Sequence, residues 1–182
     1  MHVDREFQNF FRLGYPKVVA TLRQMGFERE QSADSASEAM IQLYASSKQV
    51  NNPLAWVMTV AFRDAARNIR RANTGLKKLI IEAGGKPEST RDDDVGLSED
   101  NILDVLKMLT PAQRQVITLY YQEYKTSEIA QILGTDESTV RRHRLKVRAR
   151  LQDLIENPRT DVSGEPDEFL SLLQSRGVFG RD

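Results

Sequence analysis

Between Ser138 and Arg150 six cationic side chains, Arg141, Arg142, Arg144, Lys146, Arg148 and Arg150, occur without one acid, and His143 stands among them as a further source of positive charge. On an ordinary helix surface intervening acids relieve such repulsion. A run of this kind suits a polyanion. Arginine can donate two hydrogen bonds to one guanine edge, and the hydroxyls of Ser138 and Thr139 can bond bases or phosphates. Arg148 and Arg150, farther along, are placed for phosphates, which set affinity without carrying sequence information. The plainer alternative for the same residues is a solvated basic helix.

Two short elements must position this row. Thr126 and Ser127 precede Glu128-Ile129-Ala130-Gln131-Ile132-Leu133, which reads as a short helix with Thr126 as its N-cap. Gly134 suits the left-handed turn that ends it. Asp136 can cap the next helix, whose apolar face is Val140, Val147, Leu151 and Leu154. Ser138, Thr139, Arg141 and Arg142 then point away from that face. Helix, glycine turn and second helix is the layout of a DNA-binding helix-turn-helix. Upstream, Thr110-Pro111 reads as the cap and first residue of a further helix.

A second basic set lies near the other end. Arg63, Arg67, Arg70 and Arg71 fall at spacings of four, three and one, so most share a helix stripe. Pro53 opens that helix after the polar stretch 46–52. A basic groove beside polar and aromatic groups can hold an unstacked strand. Asn51 and Asn52 are candidates for hydrogen bonds to an extruded base, and Trp56 is either a stacking platform or a core anchor. Asp34 and Glu38, four apart, place two carboxylates on one helix face.

Composition narrows the classes. The chain has 182 residues, 26 Lys+Arg against 26 Asp+Glu, two histidines and no cysteine. Without cysteine there is no disulfide scaffold, thiolate zinc site or cysteine nucleophile. No metal or other cofactor is expected. The acid pairs lack an accompanying nucleophile or Gly-rich phosphate loop, so an enzyme is not expected. No apolar run reaches the length of a membrane span, and the first residues lack the basic-then-apolar order of a signal peptide. A soluble cytoplasmic protein without membrane insertion follows. Charge alternates along the chain: residues 1–74 hold 10 basic and 7 acidic side chains, 75–100 hold 4 and 7, 101–157 hold 9 and 7, and 158–182 hold 3 and 5.

The periodicity is helical throughout. Phe7, Phe10, Phe11 and Tyr15 form one stripe, Ala36, Met40, Leu43 and Tyr44 another, and Trp56, Val60, Ala61 and Ala65 a third. Pro16 sits near the start of a helical pattern that continues through Val18, Val19, Leu22 and Met25. Glycines and prolines gather at 75–96 around Asp92, Asp93 and Asp94, a linker composition, with a short helix around 76–83. The expected fold is all-α: a helical domain at 1–74, a flexible acidic linker at 75–100, a helix-turn-helix domain at 101–157 and a C-terminal extension at 158–182. Phe169, Leu170, Leu172, Leu173, Val178 and Phe179 give that extension an apolar cluster, suited to folding back or to docking a partner.

The two blocks together resemble a bacterial RNA polymerase sigma factor of the extracytoplasmic-function group, over about residues 5–73 and 101–156. The stretch 33–44 is similar to the family's polymerase-binding helix, with Asp34 and Glu38 matching and Tyr44 standing where Trp is usual. Pro53-Leu54-Ala55-Trp56-Val57-Met58-Thr59-Val60-Ala61 resembles the family's Phe-x-x-Trp-Leu-x-x-Ile-Ala. Leu109-Thr110-Pro111-x-x-Arg114, Ser127-Glu128-Ile129-Ala130 with Leu133-Gly134, and Arg148-Ala149-Arg150-Leu151 resemble its second domain. Arg63 and Arg67 replace the family's usual Asn and Asp, and Arg144 replaces a usually buried Leu. The resemblance implies that the Asp34, Glu38 and Tyr44 face docks on the clamp of the largest β-type polymerase subunit. It implies that Asn51, Asn52, Trp56, Arg63, Arg67, Arg70 and Arg71 hold the melted promoter element. It also implies that Thr126, Ser138, Thr139, Arg141, Arg142, Lys146 and Arg148 read the duplex upstream element. Core RNA polymerase, promoter DNA and an anti-sigma factor are the implied partners. The alternatives are a stand-alone helix-turn-helix regulator and a sigma mimic that sequesters an anti-sigma factor.

Overall fold

A computed structural model of the chain describes residues 5–46, 50–82, 105–157 and 165–180. The described residues are helical and contain no strand. The helices are α1 Arg5–Gln24, α2 Arg29–Ala45, α3 Pro53–Glu82, α4 Pro111–Tyr121, α5 Thr126–Leu133, α6 Glu137–Glu156 and α7 Pro166–Ser175. The chain divides into two compact units, Met1–Val19 with Glu28–Val95, and Ala20–Phe27 with Gly96–Asp182.

In the first unit α2 packs along α3. The small residues Ser32, Ser35, Ala36 and Ala39 are all fully buried, and they bring the two backbones close enough for side chains to bond across the seam. Gln31 Nε2 donates to the Ala65 carbonyl at 2.9 Å, and Ser35 Oγ donates to Asp64 Oδ2 at 2.9 Å. Met40, Val57, Met58, Ala61, Phe62 and Ala65 complete the core. Gly14 is buried too: a Cβ there would stand 3.3 Å from Met40 Cε, so glycine is what lets α1 approach that core.

Three expectations change here. Pro16 lies inside α1, which runs through it; its exposed position leaves the ring room and the forfeited backbone bond faces water. The aromatic stripe of α1 is only partly core, since Phe11 is 41% exposed and stacks on Tyr15 at 5.1 Å. Helix α3 does not stop before Gly75 but continues to Glu82. The remainder of the expected linker, residues 47–49 of the polar stretch and residues 158–164 lie outside the described residues.

The second unit is built around α6. Val140, Val147, Leu151 and Leu154 are buried as the spacing requires, against Val116, Ile117, Leu119, Ile129 and Ile132. Thr110 caps α4 through a reciprocal pair, its Oγ1 accepting from Gln113 N while Gln113 Oε1 accepts from Thr110 N. Arg114 Nε donates to the Leu106 carbonyl at 2.8 Å and fixes the turn ahead of α4. The tail folds back: α7 packs on α6 and buries Phe169, Leu170, Leu173 and Val178. Arg176 Nη1 donates to the Tyr121 carbonyl at 3.1 Å, and its guanidinium lies 4.3 Å from the centre of the Tyr121 ring.

Candidate nucleic-acid interface

The helix-turn-helix forms from α5 and α6. Gly134 takes φ +65° and ends α5, its N–H bonding the Ala130 carbonyl. The N-cap of α5 is Lys125, not Thr126. Glu128 reaches back to accept from the Lys125 N–H at 2.9 Å, so the acid three residues into the helix does the capping. Thr126 Oγ1 is instead paired with Tyr120 Oη at 2.9 Å, which occupies the hydroxyl expected at the DNA face.

Asp136 caps α6 as expected. Its Oδ1 accepts from Thr139 N at 2.7 Å and its Oδ2 from Thr139 Oγ1 at 2.9 Å, while Ser138 Oγ also donates to it. The bond from Ser138, then those from Thr139, hold this carboxyl well below the ordinary 3.8. Ser138 and Thr139 are therefore committed to the cap, and the cations after them carry more of the recognition. Asp136→Ala should lower the stability of the C-terminal unit at neutral pH in urea unfolding. Because the folded value lies below the unfolded one, the cap stabilises fully above 3.8 and loses that effect as pH falls toward the folded value. The gap between wild type and variant should shrink accordingly in acid.

Arg142, Lys146 and Arg148 are exposed, and Arg141 is half-buried. Arg141 Nη2 lies 2.6 Å from Glu137 Oε2, so part of its charge is answered within the helix. Arg142 Nη2 donates to Thr139 Oγ1 at 3.2 Å, and the Arg148 guanidinium sits 5.9 Å from the centre of the Phe179 ring. Arg150 pairs with Asp153 at 2.6 Å. Arg144 is buried, 8% exposed, with its guanidinium 5.4 Å from the centre of the Tyr120 ring, so a cation occupies the core position without entering the DNA face. Burial, then the charges of Arg142 and Lys146, push the His143 imidazole below 6.5. It adds no positive charge to the row near neutral pH.

On the first unit Arg63, Arg67, Arg70 and Arg71 are all exposed along α3. Asp64, one residue after Arg63, was not anticipated as a site residue. Its carboxylate, 19% exposed, accepts from Arg67 Nη2 at 2.6 Å, from Ser35 and from Asn68 Nδ2 at 3.2 Å. Burial pushes this carboxyl up, and the bonds from Arg67, Ser35 and Asn68 outweigh it, leaving a net depression. Asn52 Oδ1 accepts from Ala55 N at 3.1 Å and so caps α3, while Asn51 is exposed. Trp56 is half-buried. Asp34 and Glu38 share an exposed face of α2, and Tyr44, 46% exposed, has its ring 4.7 Å from that of Phe7. The same face carries Ile41, 62% exposed, and Gln42, bonded to Glu38 at 2.8 Å, both legible from the i, i+3 and i+4 spacing but not singled out. Among the described residues no cluster of three or more His, Asp or Glu could hold a metal, and no helix is long and apolar enough to cross a membrane.

The family model for "Sigma-70, region 4" matches residues 99–151, the stretch that contains the helix-turn-helix. The ECF RNA polymerase sigma factor SigK of Mycobacterium ulcerans is 27% identical over 133 residues, covering 70% of this chain and 71% of that protein. The SigK of Mycobacterium tuberculosis strain H37Rv is 26% identical over the same shares. Among solved structures, the sigma factor RpoE of Bartonella quintana, determined with the anti-sigma factor NepR, matches with a TM-score of 0.65 at 20% identity, over 86% of this chain and 100% of that one. Two helical units, one with a capped helix-turn-helix bearing a cationic row, define a DNA-binding protein of transcription. Residues 99–151 thus match region 4 of the sigma-70 family, and over 70% of its length the chain is similar to sigma factors of the extracytoplasmic-function group.

Proposed function

We propose that residues 1–74 dock on core RNA polymerase through Asp34, Glu38 and Tyr44 and hold the melted promoter strand through Asn51, Arg63, Arg67, Arg70 and Arg71, while residues 101–157 read the upstream duplex element. Thr126, Ser138 and Thr139 support that second face as structural partners, and Arg141, Arg142, Lys146 and Arg148 are its DNA contacts. The observation that carries this reading is the exposed cationic row of α6 on a helix already fixed by its Asp136 cap. Joining two modest contacts in one chain raises the effective concentration of the second once the first has formed. Opening the duplex costs a few kcal/mol per extruded base, and capture of the freed strand offsets it.

The chain performs no chemistry of its own in this scheme; the polymerase does, in the cytoplasm. An anti-sigma factor is proposed as a further partner, by analogy with the complex in which the Bartonella protein was solved. A stand-alone operator-binding regulator would need only the second unit, whereas the structural likeness spans 86% of the chain. The test is run-off transcription with core polymerase on a randomised promoter library. Initiation that depends on the added chain and selects common upstream and melted elements is expected. No chain-dependent initiation from any template overturns the assignment.

A further inference from the structure

Leu145 is 60% exposed in the middle of the α6 cations. A lone exposed leucine is ordinary on a protein surface, but the place of this one is particular. It lies four residues after Arg141 and three after Arg142, so at 100° per residue its side chain emerges between theirs, one turn farther along the helix. Exposed Lys146 flanks it, and exposed Ala149 follows one turn later on the same line. The buried face of α6, Val140, Arg144, Val147, Leu151 and Leu154, is turned elsewhere. A polyanion attracted by the surrounding charges would cover this leucine. In the major groove the base edges present donors, acceptors and one apolar group, the thymine 5-methyl.

We propose that Leu145 packs against the 5-methyl group of a thymine in the upstream duplex element, next to the base pairs read by Arg141 and Arg142, and so determines specificity there. The inference rests on the promoter-reading role given above to α6. Arginine selects guanine by hydrogen bonding; an apolar side chain between two arginines adds a reader for a base that guanidinium groups do not favour.

The test uses holoenzyme, the full chain with core polymerase, on a duplex carrying its selected upstream element. Each thymine of that element is replaced singly by uracil, which removes the methyl group and leaves every hydrogen-bonding group in place. At one or two positions uracil should weaken wild-type binding by roughly fourfold, the worth of one buried methyl. Leu145→Ala should bind thymine and uracil alike at those positions, and Leu145→Met should keep the preference. Arg142→Ala should bind more weakly overall yet still prefer thymine. Indifference of wild type to uracil at every position overturns the proposal, as does a thymine preference that survives in Leu145→Ala. If holoenzyme discriminates no upstream sequence and Arg142→Ala changes nothing, the promoter-reading role of α6 fails, and this proposal with it.

Discussion

Alanine at Leu173 is expected to destabilise the C-terminal unit by roughly 2–5 kcal/mol, the range for emptying a packed leucine site. Leu173 has no exposed surface and sits with Phe169, Leu170 and Val178 at the seam between α7 and α6. The matched family stretch ends at residue 151, so this helix lies beyond it. Urea unfolding of the full chain measures the effect, with Ser171→Ala on the exposed side of the same helix as a control. A loss comparable to that control would mean that α7 stands away from α6 in solution. The expected loss would make the tail a structural part of the reader. It would also disturb Arg148 through the ring of Phe179.

Arg142→Ala is the second large effect. Of the two arginines at the head of α6, Arg141 is held by Glu137 at 2.6 Å, whereas Arg142 is exposed and bonds Thr139 at the longer distance of 3.2 Å. Its loss should cost roughly 1–3 kcal/mol on the selected upstream element and relax discrimination at one or two base pairs. Arg148→Ala should behave differently, weakening all sequences alike and lowering the slope of log affinity against log salt by about one. Binding isotherms of holoenzyme on matched and mismatched duplexes at several salt concentrations separate the two. Equal losses on every sequence in both variants would move base reading away from Arg142.

The elements that rest on a repeated local signal could be read from the residues. The α6 core positions follow the 3.6-residue period, Gly134 and Asp136 bracket the turn by their backbone and capping preferences, and the four arginines of α3 lie exposed with Arg142, Lys146 and Arg148 of α6. What escaped depends on partners distant in sequence or on competition between neighbours. Lys125 rather than Thr126 caps α5 because Tyr120 claims the threonine hydroxyl and Glu128 supplies the cap. Arg144 occupies a core site because the face of Tyr120 receives its charge. Ser138 and Thr139 are spent on Asp136, which no count of hydroxyls along the helix reveals. Ser35 carries no signal of its own in the sequence, and only the fold shows that its hydroxyl meets a carboxylate 29 positions away.

That last bond joins the helix bearing Asp34 to the helix bearing Arg67 by way of Asp64. A genetic screen for loss of chain-dependent transcription would accordingly recover substitutions at Ser35 that leave docking intact. Their holoenzymes would assemble normally and stall before strand separation, so assembly and opening have to be scored separately before any residue of α2 is assigned to the docking face.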